Sequence, residues 1–220
     1  MNELDIVNHL RAHPEFFERH ADLLAEVRLI SPHSRRTLSL QERQAELLRE
    51  KIRMLEARLM EMIRHGSDNL ALSDRLLQWA RDLFLVEQPA DLPAAIIDSL
   101  QLQFAVPQVA IRVWDVALAY AGEDFAQGVS EDARLFAHSL REPYCGVNAG
   151  FEVANWLAEP QQAASLALLP LRPPAAGGEG PAFGLIVLAS PDAQRYSSTM
   201  GTDFLARMAE VASAALTRLR

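Results

Sequence analysis

The hydrophobic positions of residues 45–62 follow a heptad pattern, in which steps of three and four alternate. Six apolar residues form the pattern: Ala45, Leu48, Ile52, Leu55, Leu59 and Met62. A seam this narrow is typical of a helix that packs against a second helix, because a helix that covers its own domain usually shows a wider apolar stripe. We therefore predict a helix over residues 40–64 and a homodimer along the seam. Leu47 and Met60 widen the stripe, so packing on the chain's own domain is the alternative.

Shorter helical patterns precede the seam. Apolar residues at helical spacing predict two or three short helices within residues 3–27, and Pro14 suits the first turn of one of them. Residues 28–37 contain Pro, Ser and three Arg residues, a composition that predicts a loop. Ser39, followed three residues later by Glu42, forms a capping-box pattern that indicates the start of the long helix.

The pattern changes again after the seam. The run His-Gly-Ser-Asp at residues 65–68 predicts a break in the long helix, since glycine costs about 1 kcal/mol in a helix interior. Beyond Pro107, alternating apolar and polar residues indicate strands. The predicted helices cover residues 70–86, 91–104, 130–140, 151–157 and 199–219, and the predicted strands cover residues 109–113, 116–120, 144–147, 166–171 and 183–189.

This order of elements predicts an α+β protein with an antiparallel sheet flanked by helices. We divide the chain into a helical leader (1–38), long connector helices that dimerise (39–105) and a C-terminal α+β domain (106–220). The domain would hold one packed core, since half of the 220 residues are apolar.

Charge is distributed unevenly along the chain. Residues 1–66 carry 11 basic and 11 acidic side chains, whereas residues 67–220 carry 10 basic and 18 acidic ones. An acidic C-terminal part is a poor non-specific binder of nucleic acid. No apolar run is long enough for a membrane span, and the acidic N-terminus does not resemble a secretory signal. We therefore expect a cytoplasmic protein that does not bind a membrane, and nucleic-acid binding is disfavoured.

Two stretches resemble known families. The segment AFGLIVLASPDAQRYSSTMGTDFLARMAEVASAAL is similar to the end of a GAF domain. The leader HLRAHPEFFERHADLLAEVRL, with the following LSLQERQAELLREKIRMLEARL, resembles a proteobacterial family called domain of unknown function 484. The resemblance covers nearly the whole chain. It implies a GAF-like fold for residues 106–220, with no established activity or ligand. It also implies a possible link to chromosome maintenance, because relatives tend to be encoded beside a site-specific recombinase.

A GAF-like domain would offer a cavity between its sheet and the helices of residues 130–158. The candidate lining residues have an apolar body and mostly a polar tip: Trp114, Phe136, His138, Tyr144, Cys145 and Trp156. Packing of these side chains in the core is the alternative. The Asn-Lys-x-Phe-Asp-Glu signature of GAF domains that bind cyclic nucleotides is absent, so the ligand and any cofactor stay unknown.

Catalytic chemistry has little support in the sequence. Cys145 is the single cysteine, so a thiol enzyme would lack the second cysteine that thiol-based reductases use for recycling. An inert, partly buried thiol is the simpler interpretation. No phosphate-binding loop or HExxH motif is present. Pro14 breaks the helical register between His13 and His20, so His9 and His13 have no third ligand nearby, and we predict neither an active site nor a metal site.

Phe16 and Phe17 are adjacent on a short predicted helix. Both need a large surface to cover them, which could be a partner protein or the connector helix. Arg28, Arg35 and Arg36 could contact nucleic acid or an acidic partner, or simply face solvent. We predict a non-enzymatic homodimeric sensor that binds a small molecule or protein. The alternatives are a pure interaction scaffold and, less favoured, a cysteine-dependent redox enzyme.

Overall fold

The computed structural model describes residues 2–22, 28–30, 37–173, 180–197 and 201–220, and side chains throughout these ranges except in 28–30 and 37–42. The chain divides into two compact units, Met1–Leu70 and Ala71–Arg220. Each unit is described by itself.

The N-terminal unit begins with two short helices, α1 (Glu3–Ala12) and α2 (Glu15–Arg19). Asn2 caps α1, because its side-chain oxygen accepts a hydrogen bond from the Glu3 amide at 2.7 Å. Neither helix has a buried residue. The prediction of short helices is confirmed for these ranges, and its last part, residues 23–27, lies outside the described residues.

A two-stranded hairpin follows, formed by β1 (Arg28–Ile30) and β2 (Thr37–Ser39). The prediction of a loop over residues 28–37 is therefore wrong at both ends, where strand pairing satisfies the backbone groups. Residues 31–36, with Arg35 and Arg36, lie outside the described residues, as do the side chains of the predicted capping box.

Helix α3 runs without interruption from Leu40 to Phe84. The predicted break at residues 65–68 is wrong. Gly66 has open space around it, so its cost is the intrinsic one of about 1 kcal/mol. The neighbouring turns are rich in Arg, Leu, Met and Glu, which favour helix strongly enough to offset a single glycine.

The C-terminal unit contains a four-stranded antiparallel sheet: β3 (Gln108–Val113), β4 (Tyr144–Val147), β5 (Ser165–Leu171) and β6 (Gly184–Ser190). The order across the sheet is β3-β6-β5-β4, and Ile111 of β3 faces Ile186 of β6, which in turn faces Leu169 of β5. Every residue of β5 and β6 is buried, as expected for central strands covered on both faces.

The predicted strand at residues 116–120 is wrong. Asp115 has φ 57°, a left-handed conformation that ends the extended chain after Trp114. The amide of Ala117 then donates to the carbonyl of Leu219 at 2.8 Å, and Leu118–Tyr120 forms a 3₁₀ helix.

Three α-helices complete the C-terminal unit: α4 (Leu92–Gln103), α5 (Glu131–Ser139) and α6 (Asp203–Leu216). One face of the sheet packs on α4, α6 and the last turns of α3, where Trp79 is fully buried and donates to Ser99 Oγ at 2.6 Å. The other face packs on α5 and on a 3₁₀ helix, Glu152–Trp156. The prediction of an α+β protein with a helical leader, a long helix and an antiparallel sheet flanked by helices is confirmed.

Candidate functional site

The heptad seam lies exposed along α3 in the single chain. Ala45 is half-buried, and the five larger residues are between 52% and 71% exposed: Leu48, Ile52, Leu55, Leu59 and Met62. Apolar side chains aligned on one helix face and open to solvent are typical of an interaction surface. The packing of the seam on the chain's own described residues, the alternative considered above, is not observed.

We call the face of the sheet that packs on α5 and on the 3₁₀ helix Glu152–Trp156 the second face. Five of the six predicted pocket residues lie on this face, where they form separate contact groups. Trp114 is buried, and its Nε1 donates to the carbonyl of Ala182 at 2.8 Å. The ring of His138, from α5, meets the Trp114 ring edge-on at 6.3 Å. Arg134 lies over the same indole at 5.9 Å, and its guanidinium is 3.9 Å from the Asp115 carboxylate.

A second aromatic group lies at the β4 edge of this face. Phe151 contacts both Phe136 and Tyr144, with ring centroids 5.5 and 5.3 Å apart. The Tyr144 ring covers Gly146, where a Cβ atom would collide with the tyrosine ring. Phe136 and Tyr144 therefore pack against a neighbouring ring, and both stay partly exposed.

Trp156, the last of the five, contacts a residue that was not predicted. The guanidinium carbon of Arg112 lies 6.0 Å from the centre of the Trp156 ring, within the range of a cation–π contact. Alternation along β3 places Arg112 on the same face as Ala110 and Trp114. The sequence held this signal, since Arg112 precedes Trp114 by two positions in a predicted strand.

Cys145 lies on the opposite face of the sheet from the other five candidates. It is 7% exposed and belongs to the core between the sheet and α4 and α6, together with Tyr196. Burial raises the pKa of the Cys145 thiol, which opposes formation of the reactive thiolate. The sheet thus separates this thiol from the aromatic residues, since adjacent positions of a strand point to opposite faces.

In the described part of the chain, two arginines, Arg112 and Arg172, have a buried Nε without a hydrogen-bond partner. The Nη atoms of Arg172 donate to the carbonyl oxygens of Gly180, His138 and Leu140, the last two at 2.9 and 2.7 Å. Arg172 therefore holds the end of β5 to the end of α5.

A groove of about 280 Å³ lies near the start of β3, and the sequence analysis did not predict it. It is lined mainly by amide, carboxylate and proline side chains: Gln101, Pro107, Gln108, Glu159, Gln162 and Pro191. Gln108 is held in place by the backbone of Glu159, with bonds of 3.1 and 2.9 Å. These residues are spread over four segments and follow no local pattern, so periodicity could not reveal them.

The leader presents stacked rings near the surface. Phe16 contacts Phe17 edge-on at 5.6 Å and His20 at 4.8 Å, and both phenylalanines are partly buried. His9 and His13 stack at 4.6 Å. Among the described residues, no group of three or more His, Cys, Asp or Glu side chains could hold a metal ion. No helix in the described part of the chain combines the length and apolar character needed to span a membrane.

Taken as a class, this is an α+β protein that carries a long helix with an exposed apolar seam. The chain belongs to the family described as "Protein of unknown function, DUF484", whose model matches residues 1–220. No curated protein matches the sequence.

Several solved structures are similar to the chain, and three of them are GAF domains. One, assigned to a sensor histidine kinase from Pseudomonas syringae pv. tomato, is 19% identical and covers 70% of this chain and 91% of its own, with a TM-score of 0.45. One from an Acinetobacter phosphoenolpyruvate-protein phosphotransferase is 11% identical, covers 67% and 94%, and has a TM-score of 0.46. The GAF domain of the potassium sensor histidine kinase KdpD from Escherichia coli is 16% identical, covers 67% and 94%, and has a TM-score of 0.40.

Proposed function

We propose that the chain is a non-enzymatic, homodimeric regulatory protein in which α3 pairs with α3 of a second copy. The observation that carries the proposal is the exposed seam from Ala45 to Met62. Fully burying a large apolar side chain contributes about 1.5–3 kcal/mol, and these side chains are more than half exposed, so five from each copy supply enough for association.

A parallel arrangement of the two helices is favoured by charge. Lys51 and Glu56 flank the seam and are exposed. Between two parallel copies in register, Lys51 of one helix would face Glu56 of the other, an attractive pair at coiled-coil flanking positions.

The C-terminal unit would act as the sensor module and bind a small molecule or a protein. Its candidate surface is the sheet face that carries Trp114, Phe136, His138, Tyr144 and Trp156. The last turns of α3, with Trp79 and Leu83, lie in the core of this same unit. Binding would change the helix pair only if the ligand has different affinities for two arrangements of it.

A single substitution in the seam tests the dimer. In Leu55→Asp, we expect the dimer dissociation constant to rise by about 100-fold or more, because each copy loses apolar burial and gains a like charge at the seam. Sedimentation equilibrium of the full chain measures it. Ala57→Asp is the matched control, since it places the same residue on the exposed opposite face of the helix. Equal association of the two variants would contradict the seam as the interface.

The second candidate is an interaction scaffold that docks a partner through its leader. The observation that favours it is that α1 and α2 contain no buried residue. Leu4 is 67% exposed, and Phe16 and Phe17, which contact each other edge-on, both stay partly exposed.

The family resemblance suggests the site-specific recombinase encoded beside relatives as the partner to test. We expect the Phe16→Ala and Phe17→Ala double variant to lose most of the affinity for the purified recombinase in titration calorimetry, with its melting temperature unchanged. If the double variant binds as well as the original chain, the two rings do not dock the recombinase and serve in packing instead.

A further inference from the structure

Arg112 differs from the other arginines that the C-terminal unit buries in part. Arg172 and Arg195 each donate to carbonyl oxygens of distant segments, and Arg134 pairs with the Asp115 carboxylate. Among the described residues, Arg112 makes a single hydrogen bond, from Nη1 to the carbonyl of its own neighbour Ile111 at 3.0 Å. Its Nε is buried and, like that of Arg172, has no hydrogen-bond partner in the described part of the chain.

No carboxylate in the described part of the chain forms an ion pair with Arg112; in the C-terminal unit such a pair is seen between Arg134 and Asp115. This is unexpected, because acidic side chains outnumber basic ones 18 to 10 in residues 67–220. A partly buried cation normally has a paired anion, and an unmade hydrogen bond of a buried donor is costly. The folded state therefore keeps the free-energy cost of a partly buried guanidinium that is not paired with any of the described carboxylates.

The surroundings of Arg112 fit a small ligand. On β3 it lies between Ala110 and Trp114 on the second face of the sheet, opposite Leu185 of β6, and Trp156 borders the guanidinium. Trp156 is only partly buried, whereas the Nε of Arg112 is buried, so a ligand would reach the Nε edge of the guanidinium only after a side chain here moves. A carboxylate or phosphate group can accept two parallel hydrogen bonds from that edge.

We propose that Arg112 binds the oxyanion, carboxylate or phosphate, of a small organic ligand, and that Trp156 provides the apolar side of the same site. This inference rests on the proposed ligand-binding role of the C-terminal unit and defines the class of ligand that it takes. Arg112 is a specificity residue for the anion, and the ring of Trp156 contacts the apolar part of the ligand.

The test uses the full chain with three anionic probes, namely benzoate, phenyl phosphate and inorganic phosphate, and with benzyl alcohol as the neutral ring compound. Ionic strength is kept constant with sodium chloride, because screening and salt effects act on every variant. Two readouts are followed: the melting temperature, and the ¹⁵N-¹H signal of the Arg112 Nε, assigned by its loss in Arg112→Met. Comparison of benzoate with the phosphates separates the two sources of the oxyanion.

Two variants separate binding from structure. Arg112→Met keeps an apolar side chain about as long as the aliphatic stem of arginine and removes the unpaired donor, so without probe its melting temperature should be unchanged or higher. Arg172→Met loses bonds to three carbonyl groups, so its melting temperature should fall. At least one anion should raise the melting temperature of the original chain and shift the Arg112 Nε signal, and Arg112→Met should weaken its binding by about tenfold or more.

The proposal is overturned if no anion shifts the Arg112 Nε signal, if anions stabilise Arg112→Met as much as the original chain, or if Arg112→Met melts lower as Arg172→Met does. Binding of benzyl alcohol to the original chain as tightly as benzoate and phenyl phosphate would also overturn it, while ligand binding by the unit would stand. Failure of the Leu55→Asp test would affect the proposed dimer and leave this inference intact.

Discussion

Arginine side chains of the C-terminal unit serve as ties between loops at several points. Arg195 donates to the carbonyl oxygens of Phe104 and Ala105, at 3.2 and 2.8 Å, and Arg218 does the same for Val86 at 2.8 Å. Ala105 has φ 52°, which is unfavourable for a residue with a Cβ atom. The hydrogen bond from Arg195 to the carbonyl of Ala105 stabilises this strained backbone conformation.

Cys145 and Tyr196 should make the C-terminal unit less stable at alkaline pH. Burial raises the pKa of the Cys145 thiol above its ordinary value of 9.0. Burial is also the main cause that raises the pKa of Tyr196 above 10.0, with Arg195 acting in the opposite direction. Because both groups are neutral when protonated, their contribution to stability is complete below the ordinary pKa values and is lost as the pH rises through the raised ones.

We therefore predict that the free energy of unfolding, measured by urea titration from pH ~8 to ~11, falls above pH ~9. Cys145→Ala should remove the earlier part of the fall and leave the later part, due to Tyr196. The native thiol should also react slowly with a disulfide reagent at neutral pH, since thiolate is scarce and the sulfur is buried. A rate like that of free cysteine would contradict the buried position.

At the scale of elements, the continuity of α3 through Gly66 has a direct consequence. A Cβ atom at this helical position meets no other atom within 4 Å. We predict that Gly66→Ala raises the stability of the helix by about 1 kcal/mol, measured by hydrogen exchange of the amides in the surrounding turns.

Gly128 provides a matched control for this prediction. Its surroundings are equally open, but its φ is +69°, a conformation in which an alanine is strained. Gly128→Ala should therefore lower the stability of the C-terminal unit by about 1 kcal/mol. A stabilising effect of alanine at both glycines would show that space, and not backbone conformation, decides the outcome.

The periodicity of the sequence predicted the strands and most helices because their buried positions recur at the spacing of a strand or a helix. The fully apolar strands β5 and β6 and the helix α5, capped by Ser130, are examples. It could not predict the 3₁₀ helix Leu118–Tyr120, because the left-handed turn at Asp115 and the bond from Ala117 to Leu219 join parts of the chain that are distant in sequence. The continuity of α3 was missed because a local glycine penalty was given more weight than the whole helix.

At the scale of the whole molecule, the compact C-terminal unit begins at Ala71, whereas the sequence placed the start of the module at residue 106. The core explains the earlier start. Five of its buried side chains precede residue 106: Trp79, Leu83, Leu92, Ile96 and Leu100.

We predict that a fragment of residues 71–220 is folded, while a fragment of residues 106–220 is not. Without α4 and the last turns of α3, one face of the sheet is uncovered, and the loss of Trp79 alone would cost about 3–5 kcal/mol. The dispersion of amide signals in an NMR spectrum distinguishes the two states. A well-dispersed spectrum from the shorter fragment would support the predicted boundary at residue 106.

The candidate site was predictable in part. The alternation of side chains between the two faces of a strand explains both the residues that were predicted correctly and those that were missed. Tyr144 and Cys145 are neighbours in β4, so one strand cannot direct both into the same cavity. The same rule places Arg112 beside Trp114. The groove near Gln108 depends on the bonds to Glu159 across the unit, and no short-range pattern records such a contact.

The strand order also determines when the sheet can form during synthesis of the chain. β3 is the first strand of the sheet to leave the ribosome, yet it pairs only with β6, the last one. Residues 114–183 must be made before this pairing can form, and during that time the apolar strand β5 has its β4 edge covered and its other edge open. Sheet closure with such distant partners is slow, and open apolar edges are prone to association with other chains. The nascent chain therefore needs protection, by a chaperone or by rapid completion of β6, in the interval before its central strands are paired.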